Sequence, residues 1–543
     1  MTHGSFRVPS PTNEPVRDYA PGSAERVSLR AELERQAGEV VEIPLLIGGE
    51  EVRTGNLIDV VCPHDHGHVL ARAHLAGPEE TTRAVEAATA ARAEWANVPW
   101  EERAAVFLRC AEFLAGHWRD RVNASTMLGQ SKTVHQAEID AACELIDFWR
   151  FNAFYAEELY GEQPESGPGM WNRLEHRPLD GFVFAITPFN FTSIAANLPT
   201  APALMGNTAI WKPSDTALLS NWYTMQMMRE AGLPDGVVNF IAGDGPTVGA
   251  AAIGDPRLAG IHFTGSTPTF RTIWRQVAEN IDRYGQYPRV VGETGGKDFV
   301  FAHPSADVRS LAVALVRGAF EYQGQKCSAA SRAYIPRSLW GELSELLVEM
   351  TRELRMGDPT DFTNFLGAVI DARAYAKHRD ALAAAQADPS VEVLVGGGCD
   401  DSAGYFVAPT ILVASDPNYD TMRRELFGPI LTLWVYDDAQ LDEAVAQCAD
   451  GSEYALTGAV FARDRLAIRK LTHDLRFAAG NFYVNDKPTG AVVGQQPFGG
   501  SRASGTNDKA GSMLNLQRWV SARTIKETFA PPTDWQYPFL ADD

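Results

Sequence analysis

GFVFAITP, at residues 181–188, is a short run of β-branched and aromatic residues bounded by glycine and proline. Helical stretches separate it from three similar runs, TAIWKPS (208–214), VVNFIAG (237–243) and IHFTGS (261–266). Strands that alternate with helices in this way form parallel sheets covered by helices on both faces. The pattern therefore predicts an α/β fold, with a second α/β set that begins near RVVGETGGKDFVFA (289–302).

The region before these strands has a different character. Residues 77–159 carry apolar positions at helical spacing, as in EERAAVFLRCAEFLAGHW (101–118), and are expected to be helical almost throughout. The next stretch, YGEQPESGPGMWNRLEHR (160–177), contains two prolines and three glycines. Such a composition predicts a loop or a protruding hairpin.

The size and charge of the chain exclude some classes of function. At 543 residues the chain is long enough for two or three domains, and 45% apolar residues can fill a large core. Its 69 acidic and 48 basic residues give a formal charge of -21. Because this charge repels phosphate backbones and anionic lipid, we expect neither nucleic acid nor membrane as a partner.

The cysteines and the first residues predict a compartment. Six cysteines are spread along the chain without a CxxC pair, which is typical of reduced thiols and indicates no metal site. No apolar run approaches the roughly 20 residues that span a bilayer. Residues 1–25 resemble neither a signal peptide nor an acid-poor transit peptide. The sequence thus predicts a cytoplasmic protein.

Two glycine-containing turns are candidates for binding a cofactor phosphate. The run Gly243–Gly249 follows a strand, but its GxGxxxG spacing is equally typical of a plain tight turn. FTGST (263–267) is the stronger candidate, because free N–H groups near Gly265 and the Ser266 hydroxyl can meet an anion at a helix start. Ser266 is equally suited to cap that helix.

A lone cysteine lies in the polar segment QGQKCSAASR (323–332). A buried structural cysteine is the ordinary interpretation, but Lys326 beside Cys327 predicts an accessible thiol with a lowered pKa. Glu293 lies just ahead of two glycines that allow a ligand to approach the backbone. A thiol and a separate carboxylate are a possible acyl-transfer pair, although spacing leaves open whether they meet.

Six motifs occur in one order along the chain: FNFT with Asn190, WKPS with Lys212, FTGST with Ser266, ETGGK with Glu293, GQKCSA with Cys327 and ELFGP with Glu425. Together they resemble the NAD(P)-dependent aldehyde dehydrogenase superfamily over about residues 50–525. The resemblance implies an aldehyde dehydrogenase fold with three parts and at least a homodimer. These parts are a Rossmann-like NAD-binding domain (1–151 and 178–290), an α/β catalytic domain (291–509) and a β oligomerisation arm (152–177 and 510–543).

The resemblance also assigns catalytic roles. The Cys327 thiolate attacks an aldehyde, the Asn190 amide and the Cys327 backbone N–H hold the oxyanion, and Glu293 activates water to release a thioester. Lys212 and Glu425 hold the two riboses of the cofactor. Outside these motifs, each of those two charged residues is better explained as part of a surface ion pair.

Three longer stretches resemble the branch that oxidises L-glutamate γ-semialdehyde, which forms from 1-pyrroline-5-carboxylate: TNEPVRDYAPGSAER (12–26), PFNFTSIAANL (188–198) and TGAVVGQQPFGGSRASGTNDKAG (489–511). In that branch the backbone N–H groups of Gly490 and Ala491 and the Ser328 hydroxyl bind the substrate carboxylate. The alternative for Gly490 and Ala491 is an ordinary turn.

The remaining substrate contacts follow from the shape of this aldehyde. Phe191 and Phe498 are expected to enclose its methylene groups, although a phenylalanine is more often part of the core. Glu144 shares a helical stripe with Phe148, Phe151 and Tyr155. A carboxylate on such a stripe needs a partner, either the substrate ammonium or an arginine from elsewhere.

Asp215, three residues after Lys212, predicts the cofactor. A strand that ends in Lys212 brings both residues to the edge where the adenosine ribose lies. The aspartate accepts from a ribose hydroxyl but repels a 2'-phosphate, so NAD is expected rather than NADP. The alternative is that Asp215 caps the following helix.

Other functions fit the sequence less well. Thr294 stands where many members of the superfamily have leucine, a change that the semialdehyde branch tolerates. The chain has no room for a proline dehydrogenase domain, so that activity is expected on a separate partner. A different short aldehyde remains an alternative substrate. A cysteine acyltransferase or hydrolase needs a histidine base, and none of the 12 histidines lies in the six motifs.

Overall fold

The computed structural model describes residues 4–541. The α-helices are α1 Ala24–Ala37, α2 Pro78–Trp95, α3 Trp100–Ala115, α4 Arg119–Gln130, α5 Val134–Ala137, α6 Glu144–Gly161, α7 Thr192–Leu204, α8 Leu218–Glu230, α9 Gly245–Ile253, α10 Thr267–Glu279, α11 Val308–Phe320, α12 Arg337–Glu353, α13 Ala372–Ala387, α14 Asp420–Arg423, α15 Leu441–Asp450, α16 Arg465–Asp474 and α17 Met513–Leu516. None of the helices within these residues is both long and apolar enough to cross a membrane.

The strands are β1 Val41–Ile43, β2 Leu45–Ile47, β3 Glu50–Val52, β4 Leu57–Cys62, β5 Asp65–His74, β6 Met170–Pro178, β7 Phe182–Ile186, β8 Thr208–Lys212, β9 Val238–Phe240, β10 Leu258–Thr264, β11 Arg289–Glu293, β12 Asp298–Ala302, β13 Ala330–Pro336, β14 Val391–Val395, β15 Cys399–Asp400, β16 Phe406–Val407, β17 Thr410–Ala414, β18 Ile430–Tyr436, β19 Tyr454–Ala455, β20 Thr457–Phe461, β21 Asn481–Val484, β22 Ser501–Arg502 and β23 Val520–Thr528.

The first large sheet has the strand order β11-β10-β7-β8-β9-β2-β3. Its five strands from β7 to β11 pair in parallel, and every residue of β7, β8, β9 and β10 except Ile186 is buried. Such continuous apolar strands are expected when helices cover both faces. The α/β fold predicted from these runs is confirmed.

One boundary expected from the sequence is corrected. Residues 289–293 were expected to open the second α/β set, but β11 is the edge strand of the first sheet and pairs with Gly260–Thr264 of β10. The second set begins at β12, after the short connection 294–297. Local composition does not reveal this change, because both strands are apolar and only four residues separate them.

The second large sheet has the order β14-β17-β18-β13-β12-β20-β21, with all pairs parallel except β14 and β17. Its core contains apolar residues of α11 and α12 together with β12, β13 and β20. Parallel strands end at one edge of a sheet, so each large sheet offers a place for loops that bind ligands.

Residues 77–159 are helical as predicted, apart from short connections and a π-helical turn at Glu138–Cys143. Residues 160–177 form no hairpin of their own. Instead β6 pairs antiparallel with β23 along its whole length, from Met170 opposite Thr528 to Pro178 opposite Val520. A partner about 350 residues away leaves no local signal, so the loop prediction was wrong for β6.

Candidate active site

Neighbouring strands of the first sheet end at one level and carry most of the predicted cofactor and catalytic residues. Lys212 lies opposite Ile186, and Thr264 lies opposite Glu293. The loops that follow these strands contain Asn190, Asp215 and Ser266. Ligands of open parallel sheets bind beyond the carboxyl ends of the strands, so this edge is the candidate site.

Cys327 comes from the second α/β set and follows a sharp turn after α11. Tyr322, Gln323 and Gly324 all have positive φ angles, of 50°, 54° and 65°. A Cβ atom on Gly324 would lie 2.2 Å from the Gly428 carbonyl oxygen, so only glycine fits there. Consecutive left-handed residues are costly and are found mostly where function requires them.

Two buried glutamines hold this turn, and the sequence analysis did not identify them. The Gln323 amide donates to the carbonyl groups of Ser131 and Ala368, at 2.9 and 2.7 Å. The Gln325 side chain accepts from the backbone N–H of Ile370 at 2.9 Å. The QGQ stretch beside the cysteine was a visible signal, but the partners lie far away in the chain.

Asn190 reaches the same turn from the first sheet. Its side-chain amide donates to the Gln325 carbonyl at 2.9 Å, and the residue is 4% exposed. An amide nitrogen has two donors, so one N–H remains for an oxyanion beside Cys327. The two α/β halves are thus joined at the residues predicted to stabilise the oxyanion.

The Cys327 thiol is partly exposed, as predicted, but its pKa differs from the prediction. Burial raises the pKa of Cys327 well above its usual value, and Glu293 and Asp298 add to this effect. The Lys326 ammonium does not lower this pKa, because it pairs with Asp140 at 3.2 Å. Adjacency in sequence was misleading, because the segment bends at Lys326 and directs its side chain to Asp140.

Asp140 anchors a buried charge cluster beside the site. Its carboxylate lies 2.5 Å from the Lys132 ammonium and 3.2 Å from that of Lys326. Burial favours the neutral acid, but the two lysines outweigh it and hold the pKa of Asp140 below its usual value. The Lys132 ammonium also lies 4.4 Å from the Phe191 ring and 4.2 Å from the Tyr322 ring, in cation–π contact.

A cavity of about 290 Å³ adjoins the thiol. All of the residues predicted to contact substrate line it together with Cys327: Glu144, Phe191, Ser328, Gly490, Ala491 and Phe498. The Ser328 hydroxyl is 2.8 Å from that of Thr489, and Gly490 has a φ of 95° that favours glycine. The structure therefore brings together residues that the sequence placed in four separate segments.

Glu144 has a partner that the sequence analysis did not consider. Its carboxyl group accepts a hydrogen bond from the Ser193 hydroxyl. Burial, with help from Asp140, raises the pKa of Glu144 to about 8. No arginine forms an ion pair with it in the part of the chain that the structure describes.

Glu293 and Glu144 also line a smaller cavity of about 30 Å³, with Phe498 between this space and the larger one. Burial raises the pKa of Glu293 to about 8, partly offset by the Lys509 ammonium. The walls of this space are mostly apolar, but it is large enough for one water molecule, and the two carboxyl groups supply polar partners. The carboxyl group predicted to activate water is therefore next to a place where water fits.

The predicted cofactor residues lie on other parts of the strand edge. The Lys212 ammonium pairs with the Asp215 carboxylate at 3.1 Å, and Lys212 is buried rather than a surface charge. Asp215 begins a short 3-10 turn, and its side chain accepts no backbone N–H there. The structure therefore does not support the alternative that Asp215 caps the helix.

Ser266 caps α10, accepting from the backbone N–H of Thr269 at 3.3 Å. The N–H of Gly265 is not free, because it donates to the Glu293 carbonyl at 3.2 Å. In the weaker glycine motif, Asp244 caps α9 through Thr247, as expected of a plain turn. The Ser266 hydroxyl and the start of α10 remain the candidate anion site.

Glu425 lies near Cys327 in a second, narrower space that is distinct from the large cavity. Its carboxylate accepts from the backbone N–H of Gly296 at 2.9 Å, and both residues line a narrow space with Cys327. A Cβ atom on Gly295 would lie 2.3 Å from the same carboxylate. Burial raises the pKa of Glu425. Cys327 thus lines two spaces, the cavity of about 290 Å³ and a narrow space that is also lined by Glu425, the predicted ribose-binding residue.

Known proteins resemble this chain along nearly all of its length. The sequence model of the Aldehyde dehydrogenase family matches residues 51–525. Delta-1-pyrroline-5-carboxylate dehydrogenase, mitochondrial, of Dictyostelium discoideum is 51% identical over 546 residues, covering 100% of this chain and 98% of that protein. The human protein of the same name is 49% identical and covers 97% of this chain and 94% of its own length. A crystal structure of the Delta-pyrroline-5-carboxylate dehydrogenase from Mycobacterium tuberculosis bound with NAD superposes with a TM-score of 0.96, at 58% identity and 99% coverage of both chains.

Proposed function

This chain belongs to the aldehyde dehydrogenase family, and from that premise we propose that it oxidises L-glutamate γ-semialdehyde to L-glutamate with NAD. The aldehyde forms when 1-pyrroline-5-carboxylate opens, so the reaction is the second step of proline catabolism. The observation that carries the proposal is the cavity of about 290 Å³, which has Cys327 in its wall together with the candidate carboxylate site. Relatives named for this activity match the whole length of the chain.

The Cys327 thiol gives up its proton to solvent in the cavity, and the resulting thiolate attacks the aldehyde carbon to form a tetrahedral hemithioacetal anion. The second N–H of the Asn190 amide and the backbone N–H of Cys327 stabilise its oxyanion, a contribution of about 2.7 to 4 kcal/mol per donor in comparable sites. NAD, when bound, supplies the hydride acceptor that converts this adduct into a thioester. Glu293 then takes a proton from water, whose oxygen attacks the thioester carbon and releases the Cys327 thiolate and glutamate.

The ends of the substrate are held apart from the reacting carbon. The Ser328 hydroxyl and the backbone N–H groups of Gly490 and Ala491 bind the carboxylate, while Phe191 and Phe498 enclose the methylene groups. Glu144 is the proposed partner of the ammonium group, because it lines the same cavity and is bonded only to the Ser193 hydroxyl.

The residues at the strand ends fit NAD. Lys212 and Asp215 present a donor and an acceptor to one ribose, Ser266 and the adjoining Gly265 lie at a helix start suited to pyrophosphate, and Glu425 accepts from the second ribose. The backbone N–H of Gly265 is not available to the cofactor, because it donates to the Glu293 carbonyl. Hydroxyl groups of a ribose match both members of the Lys212–Asp215 pair.

We propose that residues 152–177 and 510–543 form an arm that joins copies of the chain into a homodimer or a larger assembly. The ribbon of β6 and β23 supports this, because a two-stranded ribbon is marginally stable alone. It exposes Trp171, and Phe529, Trp535 and Phe539 beyond it are also exposed. The NAD-binding and catalytic domains are proposed to meet in the connection 294–297 between β11 and β12, rather than at the expected boundary 290/291.

The six cysteines are free thiols, which supports a reducing compartment such as the cytoplasm expected from the sequence. A separate proline dehydrogenase is the proposed supplier of the substrate. The function is tested by mixing the protein with NAD and pyrroline-5-carboxylate and recording NADH absorbance. We expect NADH to form, and its absence at every pH between 6 and 9 would contradict the proposal.

A further inference from the structure

The first part of the chain resembles the semialdehyde branch, yet no role has been assigned to it. Residues 7–19 have no regular secondary structure, and backbone N–H groups hold them against side chains of the α6 region. Val8 donates to Glu157, Glu14 donates to Asp147 at 2.7 Å, and Arg17 donates to Glu138 at 2.9 Å. The segment therefore runs antiparallel to α6, and we refer to residues 7–19 as the strap.

Asn13 connects the strap to the loop that carries the candidate carboxylate site. Its side-chain amide donates to the Asp147 carboxylate and to the Val493 carbonyl, both at 2.8 Å. Its carbonyl oxygen accepts from the Gln495 amide at 2.9 Å. One side chain thus joins α6 to the loop in which Gly490 lies.

The strap also forms part of the cavity beside the thiol. Asn13, Glu14 and Val16 line this cavity together with Cys327 and the substrate-contacting residues. Val16 is 51% exposed, so it lies where the cavity opens to solvent. An aldehyde that enters through this opening passes the strap before it reaches the sulfur.

The acidic groups at this opening are already paired. Glu14 accepts from Arg119 at 2.6 Å and from Arg150 at 2.8 Å, and Asp147 accepts from the strap itself. Buried or half-buried charges that are paired in this way have little left to offer a ligand. The strap therefore acts on substrates through shape and through the position of the loop, not through a free carboxylate.

We infer that the strap is a specificity element. Val16 and Asn13 form the outer wall of the aldehyde cavity, and Asn13 is a positioning residue that holds the loop of Gly490 and Ala491 where it binds the substrate carboxylate. This inference rests on the proposed function for the identity of the aldehyde. It predicts different effects on long, charged aldehydes and on small ones.

Val16→Trp tests the wall without disturbing the core, because the side chain is exposed. Val27→Trp is the matched control, since Val27 is 65% exposed on α1 and does not line the cavity. Because the larger indole narrows the opening through which the longer, charged aldehyde must pass, we expect kcat/KM for glutamate semialdehyde to fall about tenfold in Val16→Trp. Acetaldehyde oxidation should stay within about twofold, and Val27→Trp should match the parent protein for both.

An unchanged kcat/KM in Val16→Trp, or an equal loss for both aldehydes, would overturn the inference that Val16 forms the outer wall of the aldehyde cavity. If the parent protein oxidises acetaldehyde and hexanal but not glutamate semialdehyde, the proposed function fails instead. The strap is then judged by the same variants with hexanal in place of the semialdehyde. The two failures are therefore distinguishable.

Asn13→Ala tests the positioning role. Because the variant loses both of the half-buried donors that hold the loop, KM for glutamate semialdehyde should rise about tenfold, with kcat per titrated site within about twofold. Asn13→Asp keeps the acceptor for Gln495 but loses both donors, and should behave like the alanine variant. A merely structural role would lower the melting temperature and leave KM unchanged, and that outcome would overturn the inference.

Discussion

The side-chain amide of Asn190 donates a hydrogen bond to the backbone carbonyl of Gln325, two residues before Cys327. This bond joins the loop after β7 to the turn that carries the thiol. The Gln323 and Gln325 side chains also hold that turn through hydrogen bonds to other segments. The Cys327 sulfur and the second N–H of Asn190 therefore keep a fixed position relative to each other. Donors fixed before the reaction lose no energy to reorganisation when the oxyanion forms.

The nucleophile and the base are expected to fail at different steps. Cys327→Ser should abolish turnover, because the hydroxyl is a much weaker nucleophile than the thiolate. Glu293→Gln should retain a burst of NADH followed by slow release of the thioester, because only the hydrolysis step loses its base. Rapid mixing with absorbance at the NADH wavelength separates the two phases. Equal loss of the burst in both variants would contradict this division of roles.

The pH dependence follows from the environment of Glu293. Burial raises the pKa of this carboxyl group to about 8, and the ionised form is the one that accepts a proton from water. Below pH 8 the rate of thioester hydrolysis should therefore increase as pH rises, about tenfold per unit at the acidic end, and level off above 8. The slow phase of Glu293→Gln should lack this inflection, and an unchanged inflection in that variant would assign it to another group.

Substrate choice is tested at Ser328. If its hydroxyl and the N–H groups of Gly490 and Ala491 bind the carboxylate, Ser328→Ala should raise KM for glutamate semialdehyde about tenfold or more. An uncharged aldehyde of similar length should be much less affected. Ser338→Ala is the control, because Ser338 is exposed at the start of α12 and lines neither of the spaces beside Cys327. The same loss for both aldehydes would mean that Ser328 acts only through Cys327.

The buried cluster makes a prediction about stability. Asp140→Asn leaves the Lys132 and Lys326 ammonium groups close together without their counter-ion, so the free energy of unfolding should fall by about 3–5 kcal/mol. Asp380→Asn, in the exposed pair with Arg379, should change it by less than about 0.5 kcal/mol. Urea titration of the two variants beside the parent protein measures the difference. If Asp140→Asn lowers the free energy of unfolding no more than Asp380→Asn does, the buried cluster contributes little to stability.

The motifs predicted individual residues better than their environments. Cys327, Ser328, Gly490 and Phe498 come from distant segments, yet the cavity contains all of them, because the family motifs record residues that meet in the folded chain. The thiol environment was predicted wrongly because Lys326 turns away to Asp140, a residue that lies 186 positions earlier and carries no motif.

The side chains that hold the active-site turn and the substrate loop in position could not be predicted from the sequence, for a related reason. Gln323 and Asn13 act through backbone carbonyl groups of remote segments, and a carbonyl group leaves no mark in the sequence. Local composition did not predict the strand β6, because its partner is distant and such pairing depends on chain topology; only the family resemblance placed 152–177 and 510–543 together in a β arm. Helices and parallel strands, whose periodicity is local, were predicted with few errors.

Cofactor choice is tested at Asp215. Its carboxylate accepts from the Lys212 ammonium at the end of β8, where we propose that a ribose binds, and it makes no hydrogen bond to a helix N–H. A 2'-phosphate carries nearly two negative charges, so it would be repelled by Asp215 while competing for Lys212. NAD should therefore be preferred over NADP, and Asp215→Ser should narrow the ratio of the two kcat/KM values about tenfold or more, because a repulsion of roughly 1.4 kcal/mol corresponds to that factor.

Asp464→Ser is the matched control for this experiment. Asp464 follows β20 of the second sheet and caps α16 through Leu466 and Ala467, and serine is an equally good cap, so both folding and the cofactor ratio should stay unchanged. If Asp215→Ser lowers the melting temperature and leaves the ratio unchanged, the carboxylate serves only to neutralise buried Lys212. The preference for NAD would then have to come from the shape of the ribose site, because no charge repulsion at Asp215 would remain to explain it.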